Sequence, residues 1–397
     1  MARRPALMVA YDHAAQQTLL SARDAVDMVI VPGTIATYAQ DGVSRFLSRL
    51  DAPYLIDPRT PLFQFSVGDL RQGDRALAYA HGEAFAELVA SSQPAPPTDE
   101  DWLQAASTMA RFQRDFAERS PSGRPPTTIV APYLLSGSSL GREWDLTLAM
   151  LREARRTVPE MPVTAVVALA SPEADDPNLR SLEEMLGDLG RISGAERVTT
   201  VLMLLDRFDE YGVKAETVAR LARLLARRQV PALFNLYGGY LSLLLHHFGL
   251  AGVASGVVYG HRRSVRDRPA REVPVPGYYL PLIHATVDPA VAEDVVLRVG
   301  RQAHCSCEVC VNRGARGEAI TRLSWQELRL HFAHARASER AHVADMRLDD
   351  LIAELFDAEG AVFAAVDEAS AGARHIRNVP YRHLGAWAHG LTLARAG

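Results

Sequence analysis

All three cysteines of the chain fall within HCSCEVC, residues 304–310: Cys305, Cys307 and Cys310. Thiolates bind zinc well, and a structural zinc site takes four nitrogen or sulfur donors in a tetrahedron. The Cys-x-Cys-x-x-Cys turn supplies three donors, so a fourth must come from elsewhere. Downstream, SWQELRLHFAHARASERAH reads as a helix carrying His331, His334 and His342. His331 and His334 stand three apart and share a helical face, so either could complete the site. His304 is crowded by the turn itself. A filled Cys3His set leaves no coordination position open for water, which predicts a structural rather than a catalytic zinc. A redox pair is disfavoured, because the usual two-cysteine motif opens a helix beside a strand.

A second group of residues is acidic. Asp12, Asp57 and Asp206 end or directly follow the β-like runs ALMVAYD (6–12), PYLIDP (53–58) and VTTVLMLLD (198–206). In barrels the active site lies at the C-terminal ends of the strands, where a carboxylate can act as base or nucleophile. The same residue type also caps helices there. The loop GHRRSVRDRPAR gathers Arg262, Arg263, Arg266, Arg268 and Arg271 directly after the last such run, a placement suited to holding phosphates. YGGYLSLLLHHFG (237–249) places a Gly-Gly pair before a helix, a possible phosphate cradle or simply a tight turn, with His246 and His247 more at home in packing.

The elements that must position these groups are legible as alternation. Eight short runs rich in Val, Ile and Leu recur at 6–12, 26–33, 53–58, 127–135, 163–170, 198–206, 232–239 and 253–260. Such near-continuous apolar runs are typical of strands buried on both faces. Amphipathic stretches such as KAETVARLARLLARRQ (214–229) lie between them. The expected fold is an α/β, (β/α)8 TIM-like barrel. A doubly wound open sheet is the alternative, but no Gly-x-Gly-x-x-Gly turn follows the first strand. The organisation expected is a barrel over 1–300 with a helical insertion near 66–126, then a zinc-binding, helical C-terminal subdomain over 301–397.

Composition bounds the rest. With 43 Lys+Arg against 47 Asp+Glu, net charge −4 and 48% hydrophobic residues, the chain has no basic coat, and a polyanion would need a local patch. Clustered cysteines form no disulfide framework, the first residues lack a signal peptide's apolar run, and no segment approaches the roughly 18 apolar residues of a membrane span. The expectation is a cytoplasmic protein with no membrane contact and oligomerisation left open.

Cys-x-Cys-x-x-Cys followed some twenty-odd residues later by His, after an eight-stranded barrel, resembles the tRNA-guanine transglycosylase superfamily. Its members include queuine- and archaeosine-type tRNA enzymes and relatives that insert deazaguanines into DNA. The resemblance implies a structural zinc on Cys305, Cys307, Cys310 and a histidine. His331 is favoured, because its Leu-His-Phe context resembles the family's Leu-His-Asn, with His334 the alternative. YLIDPRTPLFQF (54–65) is similar to the family's Asp, turn and Phe-Gln, matching Asp57, Phe63 and Gln64. The departures are in the chemistry. The family's covalent nucleophile is an Asp ending the eighth strand, and GLAGVASGVVYG (249–260) has none. Its Val-Gln-Gly-Gly turn falls near VALASPEAD (167–175), without Gln, and its Gly-Gly-Leu turn near LLDRFDEYG (204–212), which carries Asp206.

Without that nucleophile, base exchange gives way to hydrolysis. Cleavage of an N-glycosidic bond needs one well-placed carboxylate and a pocket for an extruded base. The expectation is a DNA glycosylase acting on a modified base, with Asp57 and Asp206 catalytic and DNA favoured over tRNA as partner. A phage-defence role extrapolates from the family's DNA-acting branch. Asp12, Tyr133, Asn235, Tyr237 and Tyr259 are positioned to stack on or hydrogen-bond a base, and Arg262, Arg263 and Arg266 to hold its backbone. The alternatives are a base-exchanging transglycosylase on DNA or tRNA with a relocated nucleophile, or a non-catalytic nucleic-acid-binding partner subunit.

Overall fold

A computed structural model describes residues 4–65, 71–91, 95–116, 118, 124–170, 177–256, 277–313, 319–367 and 379–396. Its centre is a parallel (β/α)8 barrel. The strands are β1 (Ala6–Ala10), β2 (Met28–Pro32), β3 (Tyr54–Asp57), β4 (Ile129–Val130), β5 (Leu135–Ser136), β6 (Val163–Leu169), β7 (Val198–Leu205), β8 (Ala232–Leu236) and β9 (Gly252–Ser255). They are hydrogen-bonded in the order β3-β2-β1-β9-β8-β7-β6-β4, and β5 also pairs with β6. β4 and β5 share the fourth position of the barrel. The expected single run 127–135 is divided there, because Pro132 removes a ladder N–H.

Alternation along each strand sorts the apolar residues into two layers. Met8, Ile30, Leu55, Val130, Val166, Leu202, Phe234 and Ala254 meet inside the barrel. Val9, Val31, Ile56, Val167, Met203, Leu233 and Val253 face the helices. This is why the strands read as continuous Val/Ile/Leu runs. The helix Ala215–Arg227 shows the matching pattern. Val218, Leu221, Ala222 and Leu225 are buried, whereas Glu216, Arg220 and Arg227 are exposed.

The ring has one seam, between β3 and β4. Among the described residues, the backbone bond that crosses it directly is Thr127 N–H to Tyr54 O, 2.9 Å. Two glutamine side chains stand in for the missing strand neighbour. The Gln113 carboxamide donates to Val130 O at 2.8 Å and accepts from Val130 N at 2.9 Å. Gln64 does the same for Leu135, at 3.2 and 2.6 Å. Gln113 belongs to the helix Asp99–Asp115, opened by a Thr98/Asp101 capping box. With helices Gln72–His81 and Glu83–Ala90, it lies between β3 and β4 around an aromatic cluster that includes Phe63, Phe85 and Trp102.

After the barrel, a hairpin of β10 (Tyr278–Leu280) and β11 (Ala285–Val287) precedes helices Pro289–Val299, Trp325–Asp345, Leu348–Asp367 and His383–Ala396. The last lies on Ala215–Arg227 of the barrel. A Cβ at Gly390 would sit 2.6 Å from both Ala215 O and Val218 Cβ, so the close crossing requires glycine. No helix among the described residues is long and apolar enough to cross a membrane.

Candidate functional site

Cys305, Cys307 and Cys310 lie on the turn that opens the short helix Glu308–Asn312, and His331 comes from the second turn of Trp325–Asp345. Their ligand atoms all fall within 4.8 Å of one another. His331 Nδ1 is 3.7, 3.3 and 3.4 Å from the sulfurs of Cys305, Cys307 and Cys310. Bonds of about 2.3 Å to sulfur and 2.0 Å to nitrogen in a tetrahedron call for donor separations of that size. His331 is fully buried, and its Nε2 donates to Tyr279 O at 2.6 Å. That bond turns Nδ1 toward the three sulfurs, the usual way a protein orients a ligating imidazole. Its ring is stacked on Tyr278 at 4.1 Å, and the Tyr278 hydroxyl lies 3.4 Å from Cys310 Sγ.

The group therefore fits a metal ion, and it contains His331 rather than His334. Charge is shared among its members. Hydrogen bonds from the Cys305 and Cys310 thiols pull Cys307 well below the ordinary thiol range. Burial would lower His331, but Cys307 and Cys310 hold it up at about 9.

The second site is the barrel mouth, where the C-terminal ends of β1–β9 meet. Asp57 ends β3 two residues beyond inward-facing Leu55 and is 3% exposed. Its Oδ1 accepts from Tyr133 OH at 3.0 Å and from Arg59 N at 2.9 Å. Tyr133 belongs to the barrel's interior cluster, so the two expected residues do meet inside the mouth. Asp206 follows β7 two residues beyond inward-facing Leu204 and is 1% exposed. Tyr237, at φ 61°, packs against the same interior cluster. Asp12 lies two residues past β1 and is exposed.

Asn235 is the exception. Its neighbours Phe234 and Leu236 point inward, so the pleat turns Asn235 outward, where its Nδ2 donates to Ser242 Oγ at 2.7 Å. It joins β8 to the helix Tyr240–Leu244 and does not reach the mouth, contrary to the expectation from its strand-end position. Tyr259, Arg262, Arg263 and Arg266 lie outside the described residues.

Two further features had no clear signal in the sequence. Glu210, four residues past Asp206, is 4% exposed and accepts from Gly239 N at 2.7 Å and Ser242 Oγ at 2.8 Å. Burial raises its carboxyl above the ordinary range. The Gly-Gly amide read as a phosphate cradle is therefore already engaged by a carboxylate of the chain itself. Beside the loop after Asp57, a cleft of about 560 Å³ is lined by Phe63, Phe65, Trp102 and Leu134, with Arg142 and Glu143 among its polar residues. Phe65 also packs against the barrel interior.

No protein-family profile matches the chain, and no curated protein does. Among solved structures, a type I 3-dehydroquinate dehydratase from Clostridium difficile is similar at 11% identity and TM-score 0.35, over 66% of this chain and 88% of that one. An exo-β-1,4-mannosidase from Opitutaceae bacterium strain TAV5 matches at 9% identity and TM-score 0.31, over 64% and 52%. The carboxyl transferase domain of Rhizobium etli pyruvate carboxylase matches at 11% identity and TM-score 0.36, over 98% of this chain and 56% of that one.

Proposed function

We propose that the chain is a nucleic-acid glycosylase that hydrolyses the N-glycosidic bond of a modified base, with DNA as the favoured substrate and zinc at the Cys3His centre. The observation that carries the reading is the pair of buried, inward-facing carboxylates, Asp57 and Asp206, at the C-terminal mouth of a barrel that also bears this cluster. Bound zinc would supply a cross-link between the cysteine turn and the long helix, with no open coordination position. The reaction is left to the mouth.

Water adds to C1′ of the sugar as the bond to the base nitrogen breaks, and the base leaves with a proton. The sugar passes through an oxocarbenium-like state, which a carboxylate stabilises while it orients the water and accepts its proton. Asp57 takes this role, its carboxylate fixed by the Tyr133 hydroxyl and the Arg59 amide. The aromatic cleft lined by Phe63, Phe65 and Trp102, on the segment that follows β3, has room for a base swung out of the helix. Asp206 serves as a second carboxylate toward the base edge. The last barrel strand, β9, is followed by Gly256, so a covalent carboxylate at that strand end has no counterpart here, which favours hydrolysis over base exchange.

The burial of Asp206 at a strand end favours one second reading, exchange through a covalent adduct on Asp206. Abasic-site formation on modified duplexes supports hydrolysis, whereas a trapped protein–nucleic acid adduct lost in Asp206→Asn supports the rival. A phage-defence role accompanies the DNA reading.

A further inference from the structure

A series of packed polar and ring contacts runs from the cysteine cluster to the loops after β7 and β8. His331 Nε2 donates to Tyr279 O, and the Tyr279 hydroxyl donates to Glu339 Oε1 at 2.7 Å. His284 Nδ1 meets the same carboxylate oxygen at 2.6 Å, while fully buried Arg336 donates to Oε2 at 2.8 Å. The His284 ring lies flat against Tyr240, centroids 3.3 Å apart and planes 2° from parallel. Tyr240 opens the helix after Gly239, whose N–H is held by Glu210. Glu210 in turn stands on the loop that begins with Asp206, and its carbonyl accepts from Trp387 Nε1 at 2.8 Å.

Apart from partly exposed His284, the links are buried, and packed interiors shift between discrete arrangements more readily than they stretch. A displacement of the helix Trp325–Asp345 would part Glu339 from His284, and the stacked Tyr240 would follow. Glu210 accepts from both Gly239 and Ser242, so it fixes the loop after β8 against the loop after β7.

We propose that metal occupancy at Cys305, Cys307, Cys310 and His331 sets the position of the two loops after β7 and β8, and of Asp206 with them, through Tyr279, Glu339, His284, Tyr240 and Glu210. Glu210 is thus a positioning residue for the loops after β7 and β8. The proposal rests on the metal reading of the cluster and is independent of the reaction assigned to the mouth.

The test is amide hydrogen exchange on the full chain, with zinc content measured alongside. Three samples are compared: zinc-loaded wild type, the chelator-stripped chain, and zinc-loaded His284→Ala, which keeps all four ligands. Amides of 206–212 and 237–242 should exchange about tenfold faster in the second and third samples, the scale of one lost buried hydrogen bond. Amides of the helix Gly33–Tyr38 and of 58–63 should not change. Faster exchange confined to 301–345 in the stripped chain would overturn the proposal, as would His284→Ala matching wild type at both mouth loops. If stripping abolishes protection throughout, His284→Ala decides alone. A chain that takes up no zinc removes the premise, an outcome distinct from a mouth indifferent to bound zinc.

Discussion

Replacing Gln113 with leucine removes both hydrogen bonds of the carboxamide at the barrel seam while keeping most of the side chain's volume. The side chain is fully buried, so no water can replace it on Val130. A buried donor or acceptor left without a partner costs about 1–3 kcal/mol. Stranding the Val130 N–H and C=O together should therefore cost about 2–6 kcal/mol, a large part of the roughly 5–15 kcal/mol that separates folded from unfolded chains. Gln64→Leu should cost less, because Gln64 is only half-buried and water can reach Leu135. Urea unfolding followed by circular dichroism measures both. If Gln113→Leu stays within about 0.5 kcal/mol of wild type, the range of an indifferent surface change, the seam does not depend on the glutamine.

Further outcomes follow from other sites. The purified chain should carry one zinc, measured by atomic emission; Cys310→Ser should lose it, and acidification should release it, because the ligands bind only when deprotonated. Metal retained by Cys310→Ser would contradict the ligand set. Burial pushes His81 down to about 4 from 6.5. The unfolded chain then takes up a proton first as pH falls, so stability is lost between about 6.5 and 4, by about 3 kcal/mol from this residue. His81→Leu should flatten that limb in pH-dependent unfolding, apart from the share of His383, likewise lowered to about 4 by burial; an unchanged limb would count against it. Gly390→Ala should cost about 1–3 kcal/mol by overpacking, read as a lower Tm, and an unshifted Tm would show that the helix crossing has slack.

The barrel was legible because strands buried on both faces give apolar runs such as VTAVVAL, which β6 occupies over its full length. The cysteine turn was legible for a similarly local reason, since thiolate spacing is a short-range signal. Choosing His331 over His334 from the residues required the partner of its other ring nitrogen, Tyr279 O, 52 positions away. The seam glutamines and Glu210 give no such signal, because each is defined by a backbone group it meets only after folding. Asn235 shows the limit of strand-end reasoning. A shift of one residue along a strand exchanges mouth for helix layer, and a run of apolar neighbours does not mark which face is which.

The proposed role of Asp57, hydrolysis of a base–sugar bond in nucleic acid, has a direct test. Abasic-site formation is measured on duplexes carrying modified bases, with wild type and Asp57→Asn side by side. Abasic sites are expected from at least one modified duplex, reduced about 10²–10⁴-fold in the variant, the usual contribution of a positioned acid–base group. Undiminished release by Asp57→Asn, or no release from any modified duplex by wild type, would contradict it.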